Sequence, residues 1–399
     1  MEEHVKSLQK LKKQLQDQDN LKANMTNSNT KEELELISRA NCKEKFGFQD
    51  QLKYLKSKDI DIGDYKELDA KKLLSDSTYY YKLTAYRKNF YKKESGKYEN
   101  LSLKKLKDLS TIDMYLRYLV LSMTLDLEHT LKTALIKNIT LMETEDGYQI
   151  VEDFNKFQKE RNINFYKRKM SESIKETPNM KDEIEQEYQL KLKNLDNNLS
   201  YTDEILRKCS NRKGFDAELY NIYKERAPIW VIIEIMTYAN LVDFIYFYFN
   251  FSERKAPMHK KSYFKKANQY LKYSKNIRNS AAHSRPVIYD IVQQNQIDTY
   301  KNRKLSMSLR NYAEQKLGLD NMDSRSLLSN WKVHDLLSTI YLHDEYIVNS
   351  LSRKQRKKEM LKLLRRVARD KEMYKEDNEL QDVFDLFVQS VNKYKVKKH

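Results

Sequence analysis

Glycine and proline are scarce in this chain, with six Gly and four Pro in 399 residues. Strands need a turn roughly every ten residues, and turns draw on those two residue types. The shortage excludes a β-sandwich or barrel and predicts an all-α fold. Cysteine is nearly absent as well. Cys42 and Cys209 stand far apart with no Cys-x-x-Cys neighbour, which argues against a disulfide framework and a zinc site. No apolar run approaches about eighteen residues, and the N-terminus lacks an apolar secretory core. A cytoplasmic protein with no membrane span is expected.

What the chain has in excess is positive charge: Lys and Arg total 75 against 58 Asp and Glu, a formal net charge of +17. The excess is concentrated. Arg254 to Arg278 holds nine basic residues and no acid, and residues 353–375 hold eleven against three. Such clusters attract a polyanion in a salt-dependent way, so nucleic acid is the expected partner.

Along the chain, residues 1–30 read as a partly helical arm (Val5, Leu8, Leu11, Leu15) and 31–109 as an N-terminal helical region. Residues 110–290 read as a helical core. Within it, Ser110-Thr111-Ile112-Asp113 suits an N-cap and acidic first turn, followed by Leu116, Leu119, Val120, Met123, Leu127, Leu131 and Leu135 at helical spacing. Residues 152–215 are a charged, exposed helical insertion with a mobile middle, containing Pro178 and Gly214. Ile229 to Phe251 is apolar enough to suggest a membrane span, but Glu234 and Asp243 interrupt it, and one buried core helix is expected. Residues 291–399 form a C-terminal basic helical region, with Trp331, Leu336, Leu337, Ile340 and Tyr341 on one apolar face and a basic tip.

The most informative stretch is Ile277 to Arg285. Arg278, Asn279 and His283 place a fixed cation, an amide and a group that titrates near neutral pH within two helical turns, a set suited to holding and cleaving a phosphodiester. The same residues are also ordinary polar residues for a helix end. Arg254 and His259 repeat the spacing, but Pro257 between them breaks their geometric relation. Lys260 to Ala282 contains neither Pro nor Gly and can run as one helix. At about 100° per residue, Asn279 and His283 share a face and Arg278 flanks them. Ala281 and Ala282 keep the surface low, and Pro286 ends the helix just after His283.

Basic side chains track phosphates while aromatics stack on unpaired bases. Lys260, Lys261, Lys265, Lys266, Lys272, Lys275 and Arg285 are therefore the expected RNA contacts around the motif, with Tyr263, Phe264, Tyr270 and Tyr273 interleaved. Half of those rings are expected in the core, because a helix of this length needs a buried stripe. A second anchor is expected on Arg353, Lys354, Arg356, Lys357, Arg365 and Arg366, where Met360, Leu361, Leu364 and Val367 indicate an amphipathic helix. Tyr79 and Arg87 make a third candidate contact.

Four segments carry a family resemblance. Thr78 to Tyr86 is similar to a Tyr-Tyr-Arg-Leu-x-x-Tyr signature, and Asp113, Arg117 and Glu128 match an Asp-x3-Arg helix with a following Glu. Ala227 to Tyr238 is similar to a Pro-x-Trp helix with Glu-x-x-Thr-Phe, and Ile277 to Arg285 to an Arg-Asn-x3-His segment. Together, over roughly residues 50–290, they resemble the abortive-infection AbiD/AbiF (Abi-like) family of bacterial defence proteins, within the HEPN superfamily. Two departures stand out: Tyr238-Ala239 replaces an aromatic-Gly pair, and Ser284 replaces a frequent second His. The resemblance implies a HEPN-type helical bundle with N- and C-terminal helical additions, and a metal-independent endoribonuclease that needs no cofactor. It implies His283 as base toward a ribose 2'-hydroxyl, Arg278 on the phosphate and Asn279 orienting either, with Arg117 and Glu128 in support. With one motif per chain, it also implies a homodimer with a composite site. A bound small non-coding RNA is a further implied partner. The alternative is an RNA-binding scaffold in a ribonucleoprotein that does not cut.

Overall fold

The structure, a computed structural model, describes residues 31–197, 199–250, 262–291, 304–319 and 324–396. The N-terminal arm, Lys260, Lys261 and the basic tip from residue 397 lie outside the described residues. Among those described the fold is helical. Among the described residues strand pairing is confined to Ile60–Asp61 against Leu101–Ser102 in parallel, and one bridge between Lys92 and Tyr98. No helix of the described residues is long and apolar enough to cross a membrane.

The longest element is the helix Leu103–Thr140, 38 residues. It begins at Leu103 and not at Ser110, because Leu103, Leu106, Leu109 and Ile112 extend the buried stripe of Leu116, Val120, Met123, Leu127, Leu131 and Leu135 backward at the same period. Ser102 Oγ accepts from the Lys105 amide at 3.1 Å, a capping role that Ser110 was expected to play. Inside the helix, Thr111 Oγ1 instead donates to the Lys107 carbonyl at 3.0 Å, and Asp113 is fully buried.

The chain divides into two compact units that interleave along the sequence instead of following consecutive blocks. One comprises residues up to Leu121, Asn279–Leu337 and Lys354–Val396; the other comprises Ser122–Arg278 and Ser338–Arg353.

In the first unit, Asp113 is the convergence point. Its Oδ1 accepts the backbone amides of Val287 (2.8 Å) and Ile288 (2.6 Å). Its Oδ2 accepts the Tyr86 hydroxyl at 2.8 Å and the Arg117 guanidinium, which also donates to Tyr86 at 3.1 Å. Burial pushes the Asp113 pKa upward, opposed by Arg117, the two amides and Tyr86. Each oxygen thus accepts two hydrogen bonds. Asn89 continues the clip: its amide donates to the Ile288 carbonyl and accepts from the Ile291 amide, both at 3.1 Å. In the same unit, helix Asn378–Lys393 buries Leu380, Val383, Phe384, Phe387 and Val391.

In the second unit, Gln149–Glu176 and Lys181–Asn197 form a helical hairpin whose turn contains Pro178–Met180. Its charges face solvent, and its root buries Ile150, Val151 and Phe154. The expected single helix over Ile229 to Phe251 is broken into Ile229–Ile235 and Tyr238–Asn250. Met236 leaves helical geometry at ψ 131°, and Thr237 and Asn240 exchange side-chain and amide bonds that start the second helix. Lys132, paired to Glu128 at 3.1 Å, donates to the Glu234 (3.1 Å) and Met236 (2.9 Å) carbonyls that the break releases. A lysine that satisfies two carbonyls from a distant helix left no local signal for this break.

Removing a buried partner of a charged network leaves the opposite charge uncompensated. Asp113→Ala is expected to lower unfolding stability by about 3–5 kcal/mol, read as a shift in the urea midpoint.

Candidate nucleic-acid interface and motif helix

The motif helix is Lys265–Ala282, five residues shorter at its start than the Pro- and Gly-free stretch allowed. Ala267, Tyr270, Leu271, Ser274, Ile277 and Ala281 are its buried side at helical spacing, and Phe264 in the turn just before it is buried too. Of the four interleaved aromatics, Phe264 and Tyr270 are thus in the core, whereas Tyr263 is exposed and Tyr273 half-buried.

The helix ends in a Schellman turn. The Arg285 amide donates to the Ser280 carbonyl at 2.8 Å and the Ser284 amide to the Ala281 carbonyl at 3.0 Å, with Ser284 left-handed at φ 54°. His283 is therefore the last half-helical residue. It is exposed, one turn beyond the half-buried Asn279, to whose carbonyl its own amide donates at 3.1 Å. Position 284, where the family-like segment often carries a second His, demands a backbone conformation that only Gly adopts without cost.

Three sets of contacts within the first unit hold this turn and the residues that follow it. Lys332, on the helix Trp331–Tyr346, donates to Ser280 Oγ at 2.8 Å and stacks on the Trp331 ring at 4.4 Å. Burial lowers its pKa; Asp335 and Asp113 oppose that effect and Arg285 adds to it. Two residues beyond Arg285, Val287 and Ile288 donate to Asp113, and Asn330 donates to the Asp290 carbonyl at 3.1 Å. Lys332, Asn330 and Asn89 were missed by sequence reasoning. They are lone polar residues in otherwise unremarkable surroundings, and only their long-range partners give them a role.

Arg278 is the last residue of the second unit, and Asn279 opens the first within the same helix. One turn before Arg278, Ser274 Oγ and the Tyr238 hydroxyl lie 2.9 Å apart and fully buried. Burial raises the Tyr238 pKa; Ser274 and the Arg278 charge oppose this, and the Glu128 charge reinforces it. Glu128 and Arg278 thus act on one hydroxyl within that unit. Tyr238, the aromatic member of the Tyr238-Ala239 pair, is a buried bonding partner of the motif helix.

The expected RNA-contact residues separate into open and engaged sets. Lys265, Lys272, Arg285, Lys354, Arg365 and Tyr79 are exposed, and Lys275 and Arg87 half-buried. Lys266 pairs with Glu345 at 2.8 Å. The basic helix Ser350–Arg369 corrects the expectation of a continuous cationic anchor. Arg353 is 1% exposed and bonds Asp344 Oδ1 at 2.6 Å and the Ile347 carbonyl at 2.9 Å. Arg366 pairs with Asp108, which also accepts from Tyr374 at 2.8 Å. Lys357 donates to the Val391 and Tyr394 carbonyls, and Arg356 pairs with Glu359 at 3.2 Å. These cations close helix ends and neutralise buried acids, which a count of charges along the sequence does not distinguish from a free surface. Arg117 is likewise structural. No group of three or more His, Cys, Asp or Glu among the described residues is placed to hold a metal ion.

Residues 72–289 match the family model described as Abi-like protein. No curated protein and no solved structure matches the chain. The matched span contains the Tyr86, Asp113, Arg117 and Val287–Ile288 network and the whole motif helix.

Because Ser284 carries the positive φ of the helix stop, Ser284→Gly is expected to raise stability by about 1 kcal/mol in thermal unfolding.

Proposed function

This chain belongs to the Abi-like protein family, and from that membership we propose that it is an RNA-binding protein of bacterial antiphage abortive infection, acting as a metal-independent endoribonuclease of HEPN type. The observation that carries this reading is the end of the motif helix. His283 is exposed beside Asn279 on a turn clamped by Ser280, Asp113 and Asn330 contacts, while Lys265, Lys272, Lys275 and Arg285 supply cations with no acid from Arg254 to Arg278.

In the proposed reaction His283 takes the proton of a ribose 2'-hydroxyl, the 2'-oxygen attacks the adjacent phosphorus, and the bond from phosphorus to the 5'-oxygen breaks. The products are a 2',3'-cyclic phosphate and a 5'-hydroxyl. Arg278 neutralises charge on the non-bridging oxygens, and Asn279 orients the imidazole. DNA lacks the nucleophile, which confines the reaction to RNA. The leaving oxygen needs a proton, and a second copy of the motif from another chain supplies it, so the active species is a homodimer. A structured small non-coding RNA is the proposed resident partner, held by the open lysines.

The deciding experiment compares wild type with His283→Ala in cleavage of a mixed RNA and in RNA affinity at two salt concentrations. Loss of cleavage by at least about a hundredfold with affinity retained is the expected outcome. Equal cleavage by both proteins would remove His283 from the chemistry. RNA affinity without cleavage by either protein would favour a non-catalytic scaffold in a ribonucleoprotein.

A further inference from the structure

The first unit holds a cavity of about 520 Å³, within the roughly 300–1,000 Å³ that small-molecule pockets occupy. Its wall is aromatic. Phe46, Tyr54, Tyr80, Tyr81 and Tyr289 all line it, with Phe46 and Tyr54 edge to face at 5.7 Å. Its rim is basic: Lys43, Arg87 and Lys88 line the same cavity, and Lys88 lies 5.2 Å from the centre of the Tyr289 ring. The one acid among its lining residues, Glu44, is already bonded to Arg39 at 3.0 Å.

One polar atom of the lining residues, Gln51 Oε1, is buried without a hydrogen bond, and the Tyr80 hydroxyl, also buried, sits against the Arg87 guanidinium. Gln51 is fixed, since its Nε2 donates to the Phe46 carbonyl at 3.1 Å, and this leaves its oxygen as an acceptor in need of a donor. Burial pushes the Tyr80 pKa up to about 12, with the Arg87 guanidinium opposing it, so the hydroxyl keeps its proton and can donate.

From this combination we infer that the cavity binds one nucleotide, its base against the tyrosine wall with an amino group donating to Gln51 Oε1, and its phosphate on Lys43, Arg87 and Lys88. Flat faces satisfy the rings, a donor-bearing base edge satisfies the buried acceptor, and an anion satisfies the rim. Adenine, cytosine and guanine carry an exocyclic amine; uracil does not. The nucleotide is either a free mononucleotide or an unstacked residue of an RNA strand, which present the same chemistry. The site is independent of the cleavage motif and does not rest on catalysis.

The test uses the full-length His283→Ala protein and isothermal titration with AMP, CMP, UMP and ribose 5-phosphate at low salt. AMP and CMP are expected to bind about tenfold more tightly than ribose 5-phosphate, with UMP weaker than either. Tyr81→Ala and Lys43→Gln, both at exposed positions, are expected to weaken AMP severalfold with an unchanged melting temperature, and Gln51→Leu to remove the preference for AMP over UMP. A pentamer of adenylate that binds far more tightly than AMP identifies an RNA strand as the source; equal affinity identifies the free nucleotide. Ribose 5-phosphate binding as well as AMP, or AMP affinity untouched by Tyr81→Ala and Lys43→Gln, would overturn the inference. Because mononucleotides offer no bond for the motif to cut, these outcomes stand apart from the fate of the ribonuclease reading.

Discussion

The Asp113 carboxylate is the interaction on which the first unit depends. It joins the long helix to Tyr86 through a hydroxyl and to the chain after the motif through two consecutive amides. A hydrophobic contact would hold these segments together but would not set their register. A carboxylate with four directed bonds does both, because each donor must arrive at a particular oxygen along a particular line. Its burial carries a large desolvation cost, and Arg117 offsets part of it as counter-charge.

The Schellman turn and the Asp113 clip act in series. The turn reverses the backbone at Ser284, Pro286 prevents helix from resuming, and the clip fixes the irregular segment that follows. Between these constraints the His283 backbone is flanked by hydrogen-bonded chain on both sides, while its side chain remains exposed. Rigidity in the main chain with accessibility in the side chain is what a group needs if it is to meet a bulky, flexible polymer.

The fold class was legible from the shortage of Gly and Pro, and the motif helix from its unbroken run and its stop at Pro286. The start of the long helix was misplaced because Ser110 and Asp113 satisfy the capping rules in isolation, while the better evidence, a buried stripe reaching back to Leu103, required weighing Lys-rich residues as helical. The break at Met236 was illegible because its compensation comes from Lys132, about a hundred residues away in sequence. The helix Trp331–Tyr346 was read as having one apolar face, yet Lys332, His334, Asp335, Ser338, Thr339 and His343 on it are buried too. Charge counts erred most at Arg353, Lys357 and Arg366, where buried carboxylates and helix-end carbonyls consume the cations. Chemistry carried by neighbouring residues was readable; chemistry assembled from distant ones was not.

The interleaving of the two units bears on how this protein can be divided. The family-like span stops at residue 289, but the turn that presents His283 leans on Asn330 and Lys332, and the buried end of the long helix leans on Arg366 and Tyr374. A chain cut at the edge of the family match would keep every motif residue and lose the supports that orient them. The recognisable segment and the smallest autonomous folding piece are therefore different objects, and the region beyond residue 289, which carries none of the recognisable motifs, is part of the scaffold that the motif requires.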